Sequence, residues 1–477
     1  MLQQNDPLEQ AENRFSQIFS ILKVSQLLRQ AGIRKSYGIS SFAVFQLLFQ
    51  LVFQSRSLFR ILESDRAEAM PGKDVFYRYL NEARFNWRRF YQLLVQKVVN
   101  QFEALTPSRR IRVFIVDDSP MSRDRSKKVE LLARVYDHVS EKYIRGFQLL
   151  TLGWSDGFSF APLDFALMSS AKKENRYNEA REGLDKRLCG YVRRKEALLH
   201  KPDVVVQMID RALKAGFAAD YILMDSWFTH MPLVQKILDK GLHVIGRVKD
   251  IKQRYEYLGK LLTLSELYAT LSRQGKSQIL GHLVVKSQSG IALKLVFVRN
   301  RHKRKEWIAI LTTDLTLEAE EIVRIYGMRW GIETFHKMIK SLLKLEKEFE
   351  GRSYDMMISH TTIVFSRYLI LEWERRNNND DRTFGGMFYL FCDEVRDMDL
   401  KTALRQLMVF VFLLMSGNSN HEELFCQVLD WISQLPSYIK ALWPFSLCES
   451  WVMLFRFVIY FLQGDLYMVQ SLLQKAV

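Results

Sequence analysis

Apolar residues recur at helical spacing through Phe15 to Leu28 and Phe42 to Leu62, and Val75 to Phe102 continues the pattern with basic faces. The chain up to about Ala104 therefore reads as helical. At Thr106-Pro107-Ser108 the period changes. The run Arg112-Val-Phe-Ile-Val-Asp117 predicts a buried strand closing in acids. Phe147 to Gly153 and Phe158 to Ser169 predict two more strands, joined at Ser155-Asp156-Gly157. Asn175 to Phe217 is expected to be largely helical. A strand at Tyr221 to Met224, a helix from about Met231 to Lys240 and a strand at His243 to Val248 follow. Three strands, helix, strand, helix, strand describes an α/β domain with a mixed central sheet.

From Asp250 to about Leu315 short strands alternate with turns, as in Leu283 to Ser287 and Leu293 to Val298, and the stretch holds the basic run Arg301 to Lys305. It reads as a β-rich insertion before a helix from Leu317 to about Lys347. Beyond Arg376 a polar stretch, Asn377 to Asp381, precedes an apolar helical region. Three regions are expected: helical 1–105, α/β 106–376 with its insertion at about 250–315, and helical 377–477. No helix-turn-helix signature decides whether the first region binds DNA or only supports its neighbour. The last suits dimerisation or packing equally.

Composition narrows the class. The chain has 477 residues, 48% of them hydrophobic and 13% aromatic, enough to exclude disorder over most of its length. Its cysteines (Cys189, Cys392, Cys426, Cys448) lack metal-finger spacing, which argues against a zinc site or a disulfide scaffold. Met1 to Asn13 is acidic and polar, unlike a signal peptide. The uncharged stretch Ser36 to Ser55 fails as a membrane span because Gln46, Gln50 and Gln54 would draw a polar stripe along it. A soluble, cytoplasmic protein is expected. The net charge of +16 is uneven: the first 376 residues carry 62 basic against 42 acidic side chains, the rest 7 against 11. That excess suits a polyanion such as nucleic acid, though a basic surface that only keeps the protein soluble would look the same.

The segment from Tyr326 to Lys340 carries most information. On a helix, Tyr326, Arg329, Glu333 and Lys340 fall within about 60° of one another, while Ile325, Ile332, Ile339 and Leu343 form an adjoining apolar face. One face is built to pack on a sheet, and its border carries an acid between two cations and a phenol. A solvated ion pair explains Arg329 with Glu333. It does not explain why Tyr326 and Lys340 extend the stripe.

Other acids stand at strand ends: Asp117-Asp118-Ser119 after the first strand and Asp225-Ser226-Trp227-Phe228 after the fourth. Ligand-binding groups of open α/β sheets gather there. Three carboxylates meeting at that edge suit Mg²⁺, a hard ion that prefers oxygen ligands. Singly, each aspartate reads at least as well as a turn or helix-cap residue.

Together these residues resemble the DDE transposases of bacterial insertion sequences, and most closely the subgroup marked Y-x2-R-x3-E-x6-K, the insertion-sequence-four family. Tyr326, Arg329, Glu333 and Lys340 match that signature without a gap. The resemblance spans roughly Arg110 to Arg376. It implies an RNase H-like catalytic domain with a β-rich insertion, and a catalytic, metal-binding triad of Asp117, Asp225 and Glu333, with Asp118 the alternative first acid. It also implies DNA contacts from Tyr326, Arg329, Trp330 and Lys340, with core packing equally open to Trp330; His336 and Lys337 would add phosphate contacts or be solvated. Mg²⁺, with Mn²⁺ as substitute, would serve phosphodiester transfer on double-stranded transposon ends and target DNA. A homodimer acting at the bacterial nucleoid, away from membranes, is the implied setting. A metal-dependent nuclease without strand transfer and a catalytically silent repressor are the alternatives.

Overall fold

The computed structural model describes residues 14–393, except 55–57, 64–70, 108, 138–139, 272–276, 301–302, 304–305, 349–350 and 379, and beyond 393 only 395, 426–427 and 430–431. Most of the expected C-terminal helical region, four members of the basic run 301–305 and the acidic N-terminus thus lie outside the described residues.

Helices come first: α1 (Arg14–Ile21), α2 (Val24–Gln30), α3 (Ser41–Gln50), α4 (Leu58–Leu62), α5 (Lys73–Leu80) and α6 (Trp87–Ala104). The single helix expected over Phe15 to Leu28 is broken at Lys23, whose φ of 54° is left-handed. The side chains of Ser40 and Asn86 cap α3 and α6 by accepting from the amides of Ala43 and Arg89. Phe15, Phe19, Phe45, Phe49 and Phe53 interlock by edge and tilted contacts, and Phe388 and Phe391 of the described stretch 384–393 join them.

The sheet follows as β1 (Val113–Ser122), β2 (Ala133–Asp137), β3 (Lys142–Ser155) and β4 (Phe160–Met168), then α7 (Cys189–Glu196), α8 (Lys201–Lys214), β5 (Tyr221–Met224), α9 (Met231–Leu238) and β6 (His243–Val248). The strands β5 and β6 have the expected bounds. The order differs from the expected one by β2, a short extra strand that pairs with the start of β3. Helix begins at Cys189 rather than Asn175. The insertion supplies β7 (Tyr255–Tyr257), β8 (Lys260–Leu262), α10 (Leu264–Ala269), β9 (Ile279–Ser287), β10 (Ala292–Arg299) and β11 (Trp307–Thr312). It extends the same sheet, because β11 pairs antiparallel with β6.

Through the centre the sheet runs β4-β3-β1-β5-β6, with β1 antiparallel to β3 and parallel to β5, and β5 parallel to β6. Helices α11 (Ala319–Gly327), α12 (Trp330–Ser341) and α13 (Tyr354–Asn377) follow, and the described residues 384–393 are helical too. The helix expected from Leu317 to Lys347 is thus two, but Met328 and Arg329 keep helical dihedrals, and amide bonds of the i→i−3 kind (Arg329 to Tyr326, Ile332 to Arg329) join them. The polar stripe survives this tight junction, and Ile325, Ile332, Ile339 and Leu343 are all fully buried. Among the described residues no helix is long and apolar enough to cross a membrane.

Candidate functional site

Asp117 does not close its strand. It lies midway along β1, whose antiparallel pairing with β3 continues to Ser122. Only the parallel partner stops, at Val116 opposite Met224, so Asp117 is the first residue of β1 beyond the end of β5, and Asp225 follows that end directly. The expectation of a strand end thus holds on one edge and fails on the other. The open edge also admits Pro120, which has no amide hydrogen to give a ladder.

Successive side chains of a strand point to opposite faces, and the two aspartates separate accordingly. The Asp117 carboxylate accepts from Arg329 Nη1 at 3.2 Å, and Nη2 of the same guanidinium bonds Glu333. One arginine therefore ties a strand acid to a helix acid. Asp118 instead pairs with Lys201 at the start of α8. Lys201 also lies 4.6 Å from the centre of the Trp227 ring, itself 44% exposed. Sequence reasoning missed this trio, because nothing in the spacing of Asp118, Lys201 and Trp227 signals that they meet.

Burial pushes the Asp117 carboxyl up to about 7; Arg329 opposes the rise, while the charges of Asp225 and Asp118 add to it. Burial works against the charge of Arg329, but Tyr326, Asp117, Glu333 and Asp225 outweigh it and raise its pKa. Asp225 also serves as a turn residue: its Oδ1 accepts from the amides of Trp227 at 2.9 Å and Phe228 at 3.1 Å. The capping role weighed for it from sequence is real and leaves its other oxygen outside those bonds.

The remaining stripe residues differ in exposure. Trp330 is 69% exposed, so a core-packing role does not describe it. Tyr326 is half-buried with Arg329 over its ring at 5.9 Å. Lys340 reaches inward, donating from Nζ to the Pro120 carbonyl at 2.5 Å, with Glu346 at 3.8 Å. His336 is not solvated: it is buried against Thr151, the cross-strand partner of Asp117, and burial pulls its pKa down to about 3. Lys337 is exposed.

Carboxylate oxygens are the donors a divalent hard cation takes, and the mutual repulsion felt at Asp117 is what such a cation relieves. In donor chemistry Asp117, Asp225 and Glu333 fit. Among the described residues, though, no three His, Cys, Asp or Glu side chains come close enough to hold a metal, and Arg329 occupies the gap between Asp117 and Glu333.

A family model described as "DDE superfamily endonuclease" matches residues 50–258, a span holding Asp117 and Asp225. A second, "Transposase DDE domain", matches residues 185–353, a span holding Asp225 and Glu333. The chain carries a DDE-superfamily transposase domain. No curated protein matches it. Among solved structures, a piggyBac transposase synaptic complex with hairpin DNA is similar at a TM-score of 0.43 and 13% identity, covering 79% of this chain and 78% of that one. In this DDE domain the two acids shared between strand and helix stand beside the arginine of the stripe.

Proposed function

We propose that the protein is a transposase of the insertion-sequence-four kind, with an RNase H-like catalytic core, that binds element ends as double-stranded DNA, cleaves them and joins them to a target. The observation that carries this reading is the bridge from Asp117 through Arg329 to Glu333 at the edge where Asp225 follows β5. The strand order β4-β3-β1-β5-β6, with its antiparallel and parallel halves, supports the fold assignment.

Asp117, Asp225 and Glu333 would hold Mg²⁺, or Mn²⁺ in its place. Once bound, such an ion supplies charge that activates the attacking oxygen and stabilises the departing one. The chain's own groups orient the rest. Arg329 fixes the carboxylates of Asp117 and Glu333 and offers a forked donor to phosphate. The exposed indole of Trp330 offers a stacking surface to a base. Tyr326 and Lys340 border the same path. Each step replaces one phosphorus–oxygen bond by another: water or a 3′-hydroxyl adds, and the displaced 3′-oxygen leaves with a proton. Two ends held together imply a dimer working on the bacterial nucleoid.

Asp225→Ala and Glu333→Ala are each expected to abolish Mg²⁺-dependent cleavage of an end duplex while binding it within a few-fold of wild type. Full cleavage by either variant overturns the assignment. The paired test is Asp117→Asn beside Asp118→Asn, of which only the first should be inactive. A pre-cleaved end incubated with target DNA separates transposition from a nuclease reading, since only a transposase joins the strands. The guanidinium lodged between Asp117 and Glu333 favours, as a second reading, a DNA-binding protein that does not cleave. Retention of end binding with no cleavage at any Mg²⁺ or Mn²⁺ concentration would select it.

A further inference from the structure

A cavity of about 220 Å³ opens where the first turn of α6 meets α7 and the start of α13, with Trp87, Arg88, Arg187, Arg193 and Asp355 in its lining. It shares no residue with the Asp117–Arg329–Glu333 group. Trp87 is 3% exposed and Arg193 5%. The indole Nε1–H and the Arg193 Nη2–H have no acceptor among the described residues. Buried donors are ordinarily paired, so two left open on residues that line one cavity call for an acceptor there.

Charge points to the same occupant. Burial and the neighbouring Arg88 pull Arg193 down to about 10, leaving it charged at neutral pH beside another cation. The acids nearby are already engaged. Asp355 accepts from Arg194 at 2.9 and 2.7 Å, Asp164 pairs with Arg211 at 2.6 Å and faces Arg88 at 3.4 Å, and Glu196 pairs with Arg88 and Arg211. Glu196 also lies 3.8 Å from Nη1 of Arg193, which donates to the Phe165 carbonyl, so that Nη2 is the open end of that guanidinium. Arg187, held by Asp185, stands exposed on the lining. The cavity also adjoins the N-terminus of α6, an eighteen-residue helix whose dipole favours negative charge there.

We propose that this cavity binds a tetrahedral oxyanion of the phosphate class, held by the Trp87 indole N–H and the Arg193 guanidinium. The group arrives either as free phosphate or as a backbone phosphate of DNA. The proposal does not depend on the transposase reading.

The test is thermal unfolding of the full chain in inorganic phosphate against chloride at equal ionic strength. Wild type should show a saturable rise in Tm with phosphate. Trp87→Phe, which keeps a ring but loses the N–H, should need about tenfold more phosphate. Arg193→Met should lose the response; if it does not fold, the Trp87→Phe comparison carries the test alone. No phosphate-specific shift in wild type, or the same shift in Trp87→Phe, overturns the proposal and leaves water as the occupant. Phosphate added to a duplex-binding titration then assigns the source. Competition in wild type but not in Trp87→Phe identifies a DNA phosphate; binding unchanged beside a phosphate-raised Tm identifies the free ion.

Discussion

Helices α12 and α13 pack against each other and use polar residues in opposite ways. The first buries Ile332, Phe335, His336 and Ile339 on one face and leaves Trp330 and Lys337 exposed. The second is buried at every residue except Arg375 and Asn377. On α12 and the junction before it, the charged groups meet at the open edge of the sheet, where Arg329 holds two acids that would otherwise repel. On α13 they are spent on neighbours. Arg367, fully buried, donates to the carbonyls of Leu48 and Phe49 and grips both oxygens of Glu348, tying α3 to the core. Polar residues at an open edge stay within reach of a ligand; polar residues saturated inside a fold hold it together.

The largest expected effect breaks the second half of that contrast. Arg367→Met leaves the Glu348 carboxylate buried without its main partner, which costs of the order of 3–5 kcal/mol. Arg329→Met, at an edge where the side chain is partly buried rather than sealed in, should cost less in urea unfolding while abolishing cleavage. If the two variants unfold alike, α13 is not the glue described here.

Next in size is a pH effect seated on α13. Burial pulls His360 down from 6.5 to about 4, with Arg123 and Arg367 adding to the fall and Glu348 resisting it. The unfolded chain therefore takes up a proton that the folded chain refuses between those values. Stability is full above pH 6.5 and falls as pH drops toward 4, by about 3 kcal/mol for a shift of that size. Below that the loss levels off, because both states are protonated. Burial alone would raise Glu348, but Arg367 and His360 outweigh it and keep it ionised in this window. Urea unfolding between pH 7 and pH 4 should thus show a steeper decline for wild type than for His360→Gln; parallel curves would show that His360 does not titrate in this way.

The same contrast explains what could be read from the chain. The α12 stripe was legible because its apolar and polar positions separate at one helical period. So were β5 and β6, short apolar runs bounded by turns. Helix α13 hides its burial, since Thr361, Thr362 and Ser366 alternate with apolar residues and satisfy themselves on carbonyls four residues back, at 2.8 to 2.9 Å. The place of Asp117 was half legible. A strand's sequence shows where it is apolar, not where each neighbour stops, and β1 outlasts β5 on one side only. Strand β2 was invisible, being five residues long with Arg134, Tyr136 and Asp137 among them.

The smallest expected effect falls on Lys340, which belongs to α12 but is wired like a residue of α13. Its ammonium donates to the Pro120 carbonyl, and burial lowers its pKa against the pull of Glu346 and Asp137. Its side chain is still 27% exposed, so it is neither sealed in nor free. Losing a charged hydrogen bond at such a site should cost about 1 kcal/mol after screening by solvent. If the stripe also faces DNA, Lys340→Met should flatten the salt dependence of end binding by about one charge-equivalent. Lys340→Arg should restore that slope, since it restores the charge, without fully restoring stability, since a planar guanidinium does not replace an ammonium at one carbonyl. The two readouts therefore come apart. A stability loss with an unchanged salt slope would place Lys340 wholly on the packing side, and the DNA-facing stripe would then end at Arg329 and Trp330.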